Sequence, residues 1–177
     1  MKIVVIYKSM SGFTKKYAEW ISEELQADLI SHDKIADASI LLKYDVIIFG
    51  GFLCAAGING VSIIKNNFDK LKDKKIIVYA TGASPFKEEI IPEVLNKNFT
   101  PDEQKMVKFY YFRGGFDYNK LNWVNKLLMT LMKWKIQGTK NPTPDEKGML
   151  AAFNNPVDFT KKERINELLE HVRSLIS

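Results

Sequence analysis

A β-branched run that breaks off into a turn of hydroxyl residues limits what this chain can fold into more than any other feature. Val4-Val5-Ile6-Tyr7 reads as a buried strand, Ser9-Met10-Ser11-Gly12 as a tight turn, and from Phe13 apolar residues recur at helical spacing through Tyr17, Ala18, Ile21 and Leu25. Strand, turn and helix in that order set the first amides of a helix at the carboxyl end of a strand. Such an end carries about half a positive charge and several N–H donors without intrahelical acceptors. Ser9, Ser11 and Thr14 add hydroxyls around the same point. One cap needs one hydroxyl. Three of them around Gly12 suit a larger anion, a phosphate monoester. The chain has neither GxxxxGK[ST] nor GxGxxG, so a triphosphate or a dinucleotide pyrophosphate is not expected and a mononucleotide remains.

The same alternation continues. Ala27 to His32 reads as a short strand, and Asp45-Val46-Ile47-Ile48-Phe49-Gly50-Gly51 as a strand covered on both faces and ended by its two glycines. Asn59 is expected to cap a helix whose inward face is Val61, Ile64, Phe68 and Leu71. Lys75 to Thr81 is another buried strand, and Ser84-Pro85 opens a helix that Pro92 kinks or ends. Thr100-Pro101-Asp102-Glu103 opens a helical turn, and Met106 to Phe112 is an aromatic strand ending at Arg113-Gly114-Gly115. Thr160 and Glu163 form a second capping box before Ile165, Leu168, Leu169, Val172, Leu175 and Ile176. Strands alternating with helices imply a doubly wound α/β architecture with a five-stranded parallel sheet and right-handed crossovers. In such sheets ligands gather outside the carboxyl ends of the strands, so the loops after Phe49, Thr81 and Phe112 are expected to meet the ligand of the Ser9 turn.

Composition narrows the chemistry. With 177 residues the chain suits one domain, 1–177. Cys54 is the single cysteine, which excludes an internal disulfide and any multi-thiolate metal site, and His32 and His171 are isolated. No Ser-His-Asp order and no carboxylate pair suggests hydrolysis; no catalytic side chain and no metal ligand is assigned. The net charge of +5 comes without a zinc finger, an RNA-binding aromatic pattern or a concentrated basic arm, so no nucleic-acid partner is expected. A start directly in strand, without an apolar leader, and no long apolar run imply a cytoplasmic protein, with peripheral contact to the inner face of the cell membrane left open.

Val5-Ile6-Tyr7, Ser9, Gly12, Thr14 and Ala18 at these spacings resemble the phosphate loop of the flavodoxin family. That resemblance implies a flavodoxin-like three-layer sandwich with strand order 2-1-3-4-5 and FMN as cofactor. It assigns Ser9, Met10, Ser11, Gly12, Phe13 and Thr14 to the phosphate. It lays Gly51, Phe52, Leu53, Cys54 and Ala55 along the isoalloxazine, with Thr81, Gly82, Ala83 and Ser84 on another side. Phe52 and Phe86 are the aromatic candidates for ring stacking.

Between the last strand and the last helix lies an insertion of about 116–156. Its centre, Leu121 to Ile136, plots as a helix with a narrow polar strip of Asn122, Lys126, Thr130 and Lys133 and apolar groups elsewhere. Three partners suit it: the protein's own core, a second copy in a homodimer, or an anionic membrane surface. Arg113-Gly114-Gly115-Phe116-Asp117-Tyr118, the Trp-, Met- and Lys-rich helix and Gly138-Thr139 resemble the flavodoxin-fold menaquinone-dependent protoporphyrinogen IX dehydrogenases. The implied function is an FMN-dependent oxidoreductase that takes electrons from a porphyrinogen and passes them to a quinone. The alternative is a diffusible flavodoxin carrier with a protein redox partner. A phosphoacceptor receiver domain is not expected, because Lys8-Ser9 and Gly50-Gly51 stand where acidic residues would be required.

Overall fold

A computed structural model of the chain describes residues 1–176. In chain order the elements are β1 (Ile3–Lys8), α1 (Phe13–Leu25), β2 (Asp28–Ser31), β3 (Val46–Cys54), β4 (Gly57–Ile58), α2 (Ser62–Lys65), β5 (Lys75–Gly82), α3 (Ile90–Asn98), α4 (Pro101–Met106), β6 (Val107–Arg113), β7 (Gly115–Phe116), α5 (Trp123–Gln137), α6 (Pro144–Asn154), β8 (Val157–Asp158) and α7 (Asn166–Ile176). The five long strands run parallel in the order β2-β1-β3-β5-β6, the expected 2-1-3-4-5 with the short β4 folded back on the end of β3. Successive side chains along the central strands point to opposite faces, both of them buried, and build two cores. Val4, Ile6, Ile47, Phe49, Ile76 and Val78 face Val61, Ile64, Phe68, Leu71, Val94 and Phe99. Val5, Ile48, Ile77 and Tyr79 face Tyr17, Ala18 and Ile21 of α1 and Leu168, Leu169 and Val172 of α7. Two helical layers around one sheet make the three-layer sandwich.

Several local expectations are corrected. Gly50 and Gly51 do not end their strand, which continues to Cys54 and turns back as a hairpin. They are there for packing. A Cβ on Gly50 would stand 2.0 Å from Tyr79 Cζ, and one on Gly51 would stand 2.5 Å from Ile58 Cγ2 and 2.6 Å from the Asn59 carbonyl oxygen. Asn59 caps no helix, because its amide and side-chain N–H both turn to the Phe52 carbonyl and close that hairpin. The helical segment after it is only Ser62–Lys65 followed by a 3₁₀ turn, although Val61, Ile64, Phe68 and Leu71 are buried as expected.

Pro92 neither kinks nor ends a helix. It is the third residue of α3, where its missing N–H would have had no acceptor, and Ser84-Pro85 stays outside any helix. Thr100 and Glu103 form the expected reciprocal cap. Thr160 does not, since its amide (2.8 Å) and hydroxyl (2.7 Å) both donate to the Asp158 carboxylate, a stronger charged acceptor, and the chain enters α7 through a 3₁₀ turn.

The insertion holds two helices. The second, α6, starts with a complete capping box between Thr143 and Glu146. At the base of the insertion β7 and β8 pair antiparallel, Gly115 with Asp158 and Phe116 with Val157, so the excursion leaves and returns at one point.

Gly50→Ala is expected to destabilise the fold by roughly 3 kcal/mol, because the Tyr79 ring it strikes is fully buried and has nowhere to go. Urea unfolding measures the loss. The same substitution beside Tyr79→Leu should cost clearly less than the two single changes added together.

Candidate functional site

The turn between β1 and α1 is shaped by one residue. Gly12 stands at φ 93° just before α1, a conformation that disfavours any side chain, and the space where its Cβ would lie is open. Its amide donates to the Ser9 hydroxyl at 3.1 Å, which curls the turn, while the amides of the first helical turn have no intrahelical acceptor. The turn thus carries helix-start amides without side-chain partners beside Ser9 and Ser11, and no side chain on Gly12 covers them. These donors suit the phosphate of FMN.

The floor beneath it is a set of buried hydroxyls. Tyr79 passes its ring through the gap left by Gly50 and donates its hydroxyl to the Thr14 carbonyl at 3.0 Å. Burial pushes the Tyr79 phenol well above its ordinary value, so it stays protonated and a donor. The Thr14 hydroxyl, 2% exposed, lies 2.7 Å from that of Thr81. Of the three hydroxyls expected around the anion, Thr14 therefore turns inward and joins the first turn to the end of β5.

The second loop, after β5, is tied back by its carbonyls. Gly82 accepts from the Gly114 amide (2.7 Å), Ala83 from Arg113 Nε (3.0 Å) and Ser84 from the Tyr111 hydroxyl (2.7 Å). Burial raises the Tyr111 pKa to about 12, which keeps it a donor at any physiological pH. With these carbonyls directed inward, the loop's remaining polar offer to a ligand is its amides and the Ser84 hydroxyl. Arg113 also lays its guanidinium 3.6 Å above the Phe159 ring, and its own carbonyl accepts from Tyr17.

The third wall is the β3–β4 hairpin. Gly51 lies inside the sheet and Leu53 packs on the core, whereas Phe52 and Cys54 alternate to the other face and Cys54 is exposed. The tip, Ala55-Ala56, has φ of 46° and 62°, a turn that ordinarily calls for Asn-Gly. Phe52 is half-buried and Phe86 is exposed, with its ring 6.1 Å from that of Tyr111. The structure thus joins the Ser9–Thr14 turn directly to Thr81–Ser84, and sets Phe52 beside Thr81 in the β3–β5 register.

Two contributors escaped sequence reasoning. Tyr111 pins the second loop together with Arg113, and Asn125 of α5 sets its side-chain N–H 2.9 Å from the Met10 sulfur, so the insertion reaches the phosphate turn. Alternation along Phe109-Tyr110-Tyr111-Phe112-Arg113 places Tyr111 and Arg113 on the same side of the strand, a signal that was available. Nothing local in Asn125 or Met10 announces their meeting. Lys8, next to the turn, is committed to an ion pair with Asp33, whose carboxyl that lysine holds below the usual range.

A parallel sheet with a helix N-terminus, an open glycine turn and two flanking loops at its carboxyl edge defines a flavodoxin-type fold. Residues 4–143 match the family model for the flavodoxin domain, and the chain belongs to that family. An uncharacterised protein of Methanocaldococcus jannaschii is 34% identical over 124 residues, 66% of this chain and 81% of the relative. Among solved structures, the Trp repressor binding protein of Bacillus subtilis is 19% identical with a TM-score of 0.48, over 64% of this chain and 83% of that one. Flavodoxin 1 of Bacillus cereus is 22% identical with a TM-score of 0.43, over 64% and 84%. The cofactor of the flavodoxin family is FMN.

Ala56→Gly is expected to stabilise the protein by about 1 kcal/mol, because it removes the cost of a side chain in the left-handed region. A shift of the urea midpoint to higher concentration at unchanged slope is the readout.

Proposed function

We propose that this protein is an FMN-dependent oxidoreductase that delivers electrons to a lipid-soluble quinone, and that it works at the inner face of the cell membrane. The observation that carries the flavin half is the open turn at Gly12, with its helix amides beside Ser9 and Ser11. Bound FMN supplies two-electron chemistry with a donor and an acceptor. The chain's own residues bind and orient. Ser9, Met10, Ser11, Gly12, Phe13 and the Thr14 amide hold the phosphate. Thr81 to Ser84 and the half-buried Phe52 border the ring, Leu53 anchors their strand, and the exposed Cys54 and Ala55 form the outer lip.

The quinone half rests on the insertion, whose apolar, lysine-rich helix touches the phosphate turn through Asn125 and Met10. A porphyrinogen is the donor suggested by sequence resemblance. Arg113, tied to the second loop, brings a positive charge to the ring side of the site and favours the reduced, anionic flavin, which suits an acceptor less reducing than an acidic carrier would need.

Ser9→Ala and Ser11→Ala are each expected to weaken FMN binding about tenfold or more, the worth of one charge-assisted hydrogen bond. Titration by quenching of flavin fluorescence measures it, and riboflavin, which lacks the phosphate, should bind far more weakly. Equal affinity for the two flavins would sink the phosphate assignment. Anaerobic assay of FMN-loaded protein with protoporphyrinogen IX and a menaquinone analogue tests the reaction. Electron transfer to a protein partner without quinone turnover would leave a diffusible carrier as the function.

A further inference from the structure

Helix α5 is oriented the wrong way round for a soluble protein. Four of its polar residues face inward: Asn125 meets Met10, the Thr130 hydroxyl lies 2.8 Å from that of Tyr118, Lys126 Nζ stands 5.9 Å over the Tyr118 ring, and Lys133 Nζ stands 5.2 Å over Phe153. Most of its apolar residues face outward, with Ile136 alone of them buried. Trp123 is 78% exposed, Trp134 64%, Leu127 55%, Leu128 52% and Leu131 49%. A surface helix ordinarily shows the opposite polarity, and a monomer in water rarely leaves so continuous an apolar face uncovered.

Charge identifies what covers it. Residues 118–144 contain five lysines and no carboxylate, whereas the remainder of the chain carries 21 basic and 21 acidic residues. The entire net charge therefore sits on the segment that bears the apolar face. A second copy seated on this face would bring one lysine array against another. A negatively charged surface with an apolar interior complements it on both counts.

The two exposed tryptophans strengthen the match. Eleven positions apart, they fall within about 20° of each other around the helix, one near each end of α5, where their amphipathic rings suit a lipid headgroup boundary. Among the described residues no helix is long and apolar enough to cross a membrane, so α5 would lie in the plane of the surface.

We propose that the outward face of α5 docks on an anionic lipid bilayer, with Trp123, Leu127, Leu131 and Trp134 entering the headgroup boundary and Lys135 and Lys140 meeting the lipid charge. This names the surface and the lipid class behind the peripheral location proposed above. Its test involves no flavin turnover, so the two readings can fail separately.

FMN-loaded full-length protein is sedimented with phosphatidylcholine vesicles, with and without about one third phosphatidylglycerol. The expected result is pelleting with the anionic vesicles alone, with a blue shift of tryptophan emission that Trp123→Phe with Trp134→Phe abolishes. Leu127→Ser with Leu131→Ser should lower partitioning about tenfold or more while flavin absorbance stays bound. Lys135→Gln with Lys140→Gln should weaken it several-fold and reduce its salt sensitivity. Failure to pellet with anionic vesicles overturns the proposal, as does unchanged pelleting of the serine variant. A dimer in solution that the serine variant dissociates, without vesicle binding, would make a second copy the occupant.

Discussion

The site depends on one tyrosine passing through a gap in a neighbouring strand. Tyr79 belongs to the middle of the sheet, is fully buried, and reaches the backbone of the first helix only because Gly50 has no side chain in its way. Its hydroxyl holds the Thr14 carbonyl, and Thr14 in turn meets Thr81 near the end of the same strand as Tyr79. A buried phenol without an acceptor is costly, so the sheet, the helix start and the end of β5 stand in one arrangement or lose this network together. The open turn at Gly12 is thereby held from below, by groups that a ligand never touches.

Much of the scaffold was legible in the chain because its parallel strands are covered on both faces and read as uninterrupted apolar runs. Val4 to Tyr7, Val46 to Phe49 and Lys75 to Thr81 needed no tertiary information. Strand order came from the family resemblance and not from periodicity. Glycine was the weak point. At Gly50 and Gly51 it was read as a strand end, although in both places it makes room for another residue in the sheet or hairpin. The Ala55-Ala56 tip was invisible for the opposite reason, since alanine seldom occupies a turn with positive φ. Helix α6 was overlooked although Thr143-Pro144-Asp145-Glu146 repeats the tetrapeptide at 100–103 that had been read correctly as a helix start.

The insertion shows a different limit. A helical wheel sorts α5 into polar and apolar sides, and the habitual inference then turns the apolar side inward. The aromatic rings of Tyr118 and Phe153 reverse it, because they offer lysine ammoniums two π faces and Thr130 a hydroxyl partner. Both rings come from segments flanking the helix, so the reversal is decided by contacts that no single window of sequence contains. The polar strip is the adhesive here, and the apolar majority is left exposed.

The β7–β8 ladder has a consequence of its own. Phe116 faces Val157 across two short strands, so the polypeptide between them begins and ends at adjacent positions, and the rest of the sandwich has no geometric stake in its length. The insertion is a cassette grafted onto a closed scaffold at a single stem. A related chain could shorten, lengthen or exchange that cassette without moving the parallel sheet, and the part of the flavin cradle such variation would reach is Met10, which Asn125 touches.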